Sequence, residues 1–482
     1  MRSSVTAGAA LLLLCAGTSP AMADSGSLAQ RADAAAAAAA KKATRISTTA
    51  ANAAISYLVP LRVSDKRIGS NFGFQVVDTE TGQTIYARQS ETPLRPASNM
   101  KIVTALNALT VLGPSSRMTT DTVVPERGVV ILRGGGDTTL GADELSRLAT
   151  STARYLRAQD LLPAQVQPPA YTPKTCVVDG KQRKSTAKRP CPQVTPPLTR
   201  PAVKVYVDDS LYGRPKSGPG WWSSYQPSVV RPVRPLGRIG VYQSDSAVEA
   251  GSVFASALRA AGVKARISGH QDAADGAQAA ASVQGDTVAA QVKYMLQVSE
   301  NNIAEMLFRQ VAVERGRKGT FKGGRLAARD TLHELGLDTT GLKLMDGSGV
   351  SRDDRLTTSF LTSALQLALN TDKYPQFSGF LSSLPVGGRT GTLSASAARY
   401  TTWPSRCAAG QVFAKTGSLY DTIGLSGYVR GADGVLKAFS ALVNDRPQRY
   451  SQLATRQAVD GLIATVNGCW GPTKKTGTPP AS

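Results

Sequence analysis

A serine hydroxyl three positions ahead of a lysine, at the start of an apolar helical run, is placed to lose its proton to that lysine. Pro96-Ala97-Ser98-Asn99-Met100-Lys101 is followed by Ile102, Val103, Ala105, Leu106, Leu109 and Leu112 at helical spacing, and Gly113-Pro114 ends the run. Residues i and i+3 share a helix face, so the Lys101 amine can reach the Ser98 hydroxyl. The free N–H groups and positive dipole end of a helix N-terminus favour both the deprotonated hydroxyl and the neutral amine. The chemistry this would perform is acyl transfer, with Ser98 as nucleophile and Lys101 as base. The same spacing recurs at Ser185-Thr186-Ala187-Lys188 without an apolar helix behind it, and that copy reads as a solvated basic loop.

Two further groups suit the same reaction. Lys415-Thr416-Gly417 follows the apolar run Val412-Phe413-Ala414 and precedes another strand-like run, which predicts the edge of a sheet beside a cleft. Its lysine and threonine can bind a carboxylate, and Gly417 would let a substrate backbone approach closely. Lys475-Thr476-Gly477 lies in a polar tail, and the near-copy Arg389-Thr390-Gly391 lies in a glycine-rich loop; neither is assigned a catalytic role. In Ser299-x-Asn301 the hydroxyl can relay a proton toward a leaving amine, and the amide can orient the lysine or a substrate carbonyl. Glu300 and Glu305 read as helix-surface or packing residues. Lys101 must be neutral to act as a base, whereas Lys415 is expected to stay charged. The chain has only two histidines, His270 and His333, neither near a nucleophile motif, and both read as structural.

The elements that must position these groups are those of an α+β fold. Gly73–Asp78 and Thr84–Ala87 form a hairpin about Thr81-Gly82. Val288–Leu296 and Asn302–Val313 read as helices flanking Ser299. Gln411–Ala414, Leu425–Arg430 and Leu436–Val443 read as antiparallel strands, and Gln452–Val466 as a closing helix. Between them, residues 119–286 alternate short strand-like runs with Gly-, Pro- and Lys-rich loops, which predicts a large, mostly-β insertion of one or two small domains. The expected organisation is a signal peptide over 1–23, an alanine-rich lead-in over 24–55, a catalytic domain from 56–118 and 287–470, the insertion, and a disordered tail over 471–482.

Arg2, the apolar run Val5–Gly17 and Ala21-Met22-Ala23 have the layout of a secretory signal, and the run is too short to span a bilayer. No later stretch reads as a transmembrane segment. Beyond Cys15, four cysteines remain: Cys176, Cys191, Cys407 and Cys469. An even number in an oxidising compartment suggests two disulfides, and of the three pairings we favour Cys176–Cys191 and Cys407–Cys469. None forms a C-x-x-C pair, so no metal or other cofactor is expected. The net charge of +22 would suit nucleic acid, but a secreted protein seldom meets it. The alternatives are an electrostatic hold on anionic cell wall or simple solubility.

Taken together, the three motifs resemble those of the class C low-molecular-mass penicillin-binding proteins, the D-alanyl-D-alanine carboxypeptidase/endopeptidase family. Gly134-Gly135-Gly136-Asp137-Thr138-Thr139-Leu140, Ser299–Glu305, Asp346-Gly347-Ser348-Gly349-Val350-Ser351-Arg352 and Lys415–Leu419 extend the likeness over about Ile68 to Trp470. The resemblance implies a β-lactamase-like transpeptidase domain interrupted by an insertion. It also implies Ser98 as acyl carrier, Lys101 as base, Ser299, Asn301 and Lys415 in proton transfer and orientation, and Thr416, Gly417, Ser418 and Arg352 in substrate binding. The backbone N–H groups of Ser98 and Ser418 would form the oxyanion hole. The implied partners are peptidoglycan stem peptides, with β-lactams as covalent inhibitors. Ser98 and Ser299 have 200 residues between them, far more than in a compact β-lactamase. A β-lactamase-like enzyme and a catalytically idle wall-binding or divisome protein of the same fold are the rival readings. Ser223-Ser224 stand where some relatives place an acidic group, and Lys181–Pro201 is more basic and cysteine-bearing than the family pattern.

Overall fold

The computed structural model describes residues 46–469. The expected signal segment, most of the alanine-rich lead-in, Lys475-Thr476-Gly477 and the expected tail lie outside the described residues. Contacts divide the chain at Ser47/Thr48, and the elements below all belong to the part that begins at Thr48.

In chain order the first elements are α1 (Thr48–Val63), β1 (Phe72–Asp78), β2 (Thr84–Arg88) and α2 (Met100–Val111). The insertion then contributes β3 (Arg117–Val123), β4 (Val129–Gly134), α3 (Ala142–Ala158), β5 (Thr175–Val178), β6 (Lys181–Lys184), β7 (Val203–Asp208), α4 (Ser246–Ala260), β8 (Ala265–His270) and β9 (Ala281–Thr287). The chain continues through α5 (Val288–Val298), α6 (Asn301–Glu314), α7 (Phe321–Glu334) and α8 (Thr358–Leu369). It ends in β10 (Val412–Leu419), β11 (Thr422–Arg430), β12 (Leu436–Val443) and α9 (Gln452–Asn467).

The main sheet has the order β10-β11-β12-β1-β2 and is antiparallel throughout. Its central strands are buried on both faces, which explains their near-continuous apolar sequences. Alternate residues serve two cores. Phe439, Ala441 and Val443 pack with Phe72, Phe74, Ile55 of α1 and Ile463 of α9. Ala438, Leu442 and Tyr428 face the other way, toward α2, α5, α6, α7 and α8. Within that helical lobe α2 is central, with ten of its twelve residues buried, Lys101 among them.

The insertion leaves and rejoins through β3 and β9, which pair with Arg117 opposite Thr287. Its sheet has the order β8-β7-β4-β3-β9, and β7 runs parallel to both β4 and β8. This region is richer in helix than the mostly-β expectation. Parallel neighbours need crossovers, and α3 and α4, of 17 and 15 residues, supply them. Leu145, Leu148, Ala149, Thr152, Ala153 and Leu156 bury one face of α3 at helical spacing, a pattern overshadowed in the sequence by the surrounding loops.

Both favoured disulfides are present: Cys176–Cys191 and Cys407–Cys469, with Cα–Cα distances of 5.8 and 6.1 Å. The second closes a separation of 62 residues and ties the end of α9 to the loop before β10. Peptide mapping without reduction is expected to recover these two pairs. Replacing Cys407 and Cys469 together by serine should cost about 2–4 kcal/mol of stability, read as a lower Tm. Other pairings, or four free thiols, would contradict this.

Candidate active site

Ser98 sits in a single 3-10 turn, Ala97–Asn99, that runs straight into α2. Its neighbours Ala97, Asn99 and Met100 are buried, while Ser98 itself is half-buried and so reachable from the cleft. Ala97 takes a left-handed conformation (φ +46°), unusual for a residue with a side chain. Packing from two sides holds it there. Gly349, also left-handed at φ +78°, lies so close that an added Cβ would stand 1.8 Å from the Ala97 carbonyl oxygen. On the sheet side, a Cβ on Gly417 would lie 2.6 Å from Asn99 Nδ2 and 2.9 Å from the Pro96 carbonyl, and one on Gly424 would lie 2.1 Å from Asn99 Nδ2. Gly417 therefore makes room for the nucleophile turn itself.

The Lys101 side chain is fully buried. Its Nζ lies 3.0 Å from Ser98 Oγ, 2.7 Å from Asn301 Oδ1 and 2.8 Å from the Ser348 carbonyl. A neutral amine in this position can donate to the amide and the carbonyl, and its lone pair then faces the serine hydroxyl. Burial lowers the Lys101 pKa to about 8, against the opposing pull of Asp346, Glu305, Glu300 and Asp354.

Ser299 caps the C-terminus of α5 in a left-handed conformation (φ 62°), and this kink separates α5 from α6. It carries the Ser299 hydroxyl to Lys415, whose Nζ donates to Ser299 Oγ at 2.9 Å and to the Thr416 carbonyl at 2.8 Å. Asn301 donates to the Val229 carbonyl at 2.8 Å, which fixes its oxygen toward Lys101. Lys415 was expected to keep its charge. Without substrate, complete burial and the neighbouring Lys101 hold its pKa well below the ordinary lysine value.

β10 is an edge strand, and its first half is covered: Ala414 N–H donates to the Pro385 carbonyl and Gly387 N–H to the Val412 carbonyl. The pleat alternates, so the outward backbone groups beyond are those of Thr416 and Ser418, which face the open edge. The Thr416 hydroxyl meets the hydroxyl of Thr392 at 2.7 Å, and Arg456 reaches Ser418 Oγ at 3.0 Å. Thr392 directly follows the Arg389-Thr390-Gly391 near-copy, so that loop flanks the site although its motif residues do not enter it. Arg352 is engaged bidentately by Asp421 at 2.6 Å and stacks over Trp222 at 4.8 Å. It is thus paired within the protein.

Several supporting residues gave no local signal. Glu305, read as a helix-surface or packing residue, is fully buried and accepts from the N–H groups of Gly347 and Ser348 at 3.1 and 2.8 Å. Burial and Asp346 raise its pKa to about 8. Asp346 accepts from Gly349 N–H, Ser351 N–H and the Trp221 indole, each at 2.7 Å. These bonds fix the turn whose Ser348 carbonyl receives Lys101 and whose Gly349 packs on Ala97. Glu300 caps α6 through Ile303 N–H and accepts from Tyr242. His270 pairs with Asp245, and Ser185 Oγ accepts from Cys191 N–H, both within the insertion. Among the described residues no cluster of His, Cys, Asp and Glu could hold a metal ion.

A family model described as D-Ala-D-Ala carboxypeptidase 3 (S13) family matches residues 59–159 and 234–466. Carboxypeptidase DacB of Mycolicibacterium smegmatis is 30% identical, covering 82% of this chain and 80% of its own length. A D-alanyl-D-alanine carboxypeptidase of an Actinomadura species is also 30% identical, covering 83% of this chain and 82% of its own. The crystal structure of penicillin binding protein 4 from Haemophilus influenzae superposes with a TM-score of 0.65 at 18% identity, covering 86% of this chain and 98% of that one, and shares its fold. A serine-lysine pair at a helix start, a kinked Ser-x-Asn and a Lys-Thr-Gly edge strand meet in one cleft, and the chain belongs to the D-Ala-D-Ala carboxypeptidase 3 (S13) family.

Proposed function

We propose that the protein is a secreted serine D,D-peptidase acting on peptidoglycan stem peptides that end in D-Ala-D-Ala, through an acyl-enzyme on Ser98. The observation that carries this reading is the placement of the buried Lys101 amine 3.0 Å from Ser98 Oγ, with its two other neighbours both acceptors. Ser98 Oγ attacks the penultimate D-Ala carbonyl and its proton passes to Lys101. The oxyanion accepts from the N–H of Ser98, at the helix start, and of Ser418, on the open edge of β10. The leaving amine takes a proton through Ser299, which Lys415 hydrogen-bonds, and water then releases the acyl group. Lys415, Thr416 and the Ser418 hydroxyl hold the terminal carboxylate, and its charge raises the proton affinity of Lys415 once substrate is bound. Asn301 holds Lys101 in place. Arg352 acts through Asp421 and Trp222, shaping the wall of the cleft.

A strained β-lactam amide would acylate the same serine; one related Haemophilus structure is of a complex with a β-lactam. The leader-like N-terminus and two disulfides support export. Among the described residues no helix is long and apolar enough to cross a membrane. The test is incubation of the mature protein with fluorescent penicillin, with the adduct mapped by mass spectrometry. A stable adduct on the peptide containing Ser98, together with D-alanine release from a D-Ala-D-Ala peptide, is expected. Rapid loss of the adduct with turnover of penicillin would favour a β-lactamase. Absence of any adduct would favour an idle scaffold.

A further inference from the structure

The stretch between Leu161 and Pro201 belongs to the insertion but lies outside both segments that the family model matches. It runs out and back as a ribbon. Val166 bridges Thr199, Tyr171 bridges Val194, and β5 pairs with β6. Over residues 161–200 only Cys191 is buried, so the ribbon has no core of its own. The Cys176–Cys191 disulfide, across 15 residues, takes the place of a core, and Arg183 reinforces it by donating to the carbonyls of Arg189 and Pro190.

From Tyr171 to Val194 the ribbon carries six cations, Lys174, Lys181, Arg183, Lys184, Lys188 and Arg189, against the single acid Asp179. None of the six is paired with a carboxylate among the described residues. A stapled ribbon that buries nothing yet keeps its cations unpaired is built to meet an anion outside the protein. The charges recur along an extended strand pair, which suits a linear polymer better than one small ligand. The exposed apolar residues between them, Val166, Tyr171, Val177, Val194 and Leu198, include no tryptophan or phenylalanine and lie on no helix, so they make no membrane-inserting face.

We infer that the Tyr171–Val194 ribbon is a docking arm for a linear polyanion of the cell wall, a polymer of phosphodiesters or of sugar carboxylates, which would hold the enzyme beside its substrate. The inference rests on the extracytoplasmic reading above. Lys181, Lys184 and Lys188 are exposed and make no side-chain contact that the fold needs. The test compares the full mature protein with a triple variant, Lys181→Gln, Lys184→Gln and Lys188→Gln. A matched control carries Lys66→Gln, Lys293→Gln and Lys322→Gln, also exposed and outside the ribbon.

Binding is measured to immobilised polyglycerol phosphate, to polygalacturonate and to phosphatidylglycerol vesicles at several salt concentrations. The ribbon variant should bind its preferred polymer at least tenfold more weakly, with a logarithmic salt slope shallower by about 2, while the control and the parent agree. The polymer that the parent prefers identifies the phosphate or carboxylate source. Equal loss in the ribbon variant and the control, no loss in the ribbon variant, or binding to vesicles but to neither polymer would overturn the inference. Fluorescent penicillin and thermal melting are run on all three proteins. Unchanged adducts and Tm separate a failed arm from a failed active-site reading.

Discussion

Replacing Lys101 by arginine is expected to slow acylation by penicillin by about a thousandfold or more while the protein stays folded. Arginine keeps a permanent positive charge and can still donate to Asn301 Oδ1 and the Ser348 carbonyl, but it has no lone pair for the Ser98 proton. In the parent, the acylation rate should climb as pH rises through about 8, because burial lowers Lys101 to that value and the base is the deprotonated form. Lys415→Arg tests the coupling between the two amines. It places a fixed charge where the parent has an amine held well below the ordinary lysine value. A like charge disfavours the protonated form of Lys101, so the rising limb should move to lower pH, even if the rate plateau falls. The limb belongs to the pair of amines and is read as such. Near-normal acylation by Lys101→Arg, or a limb that moves upward in Lys415→Arg, would show that the base has been misassigned.

The second large effect is expected at a residue that touches no substrate. Gly349→Ala adds a methyl group 1.8 Å from the Ala97 carbonyl oxygen and 2.4 Å from its carbon, at a backbone φ of +78°. A backbone clash cannot be relieved by a change of rotamer, and the partner is the turn that carries Ser98. We expect a loss of about 3 kcal/mol or more in stability, seen as a lower Tm. The protein that remains folded should acylate at least a hundredfold more slowly, because the turn must shift. Gly336→Ala is the control. Its φ of +79° is nearly the same, but nothing lies within 4 Å of the added Cβ. It should cost about 1 kcal/mol and leave acylation unchanged. If the two variants behaved alike, the effect would come from backbone conformation and not from the contact with Ala97.

The three motifs that meet at the candidate site were legible because each carries its own local structure. Ser98 opens a strongly periodic apolar helix, Lys415 ends an apolar strand segment, and Ser299 lies between two helical patterns. What stayed hidden depends on approach in space. Glu305 looks like any acidic residue on a helix until its carboxylate is found under the Gly347-Ser348 backbone. Thr392 carries no motif of its own; only the docking of its loop brings it to Thr416. Nothing in the sequence around Gly417 announces that Pro96 and Asn99 crowd it. The lowered proton affinity of Lys415 was hidden for the same reason: it depends on burial and on the approach of Lys101, which sequence spacing does not show. In the insertion, the periodic face of α3 was in the sequence, but its parallel strands could not be inferred without knowing which strands become neighbours.

The covering of β10 also bears on how the protein avoids joining itself. An edge strand of eight residues could pair with the same strand of another copy, and such pairing is the first step of sheet aggregation. Here Gly387 and Pro385 occupy the Val412 carbonyl and the Ala414 N–H, and Lys415 Nζ occupies the Thr416 carbonyl. Beyond these, the Thr416 N–H and the outward groups of Ser418 face the open edge. That stretch is too short to template a second strand, and under the proposed function the same backbone would serve both as a recognition edge and as a guard against self-association.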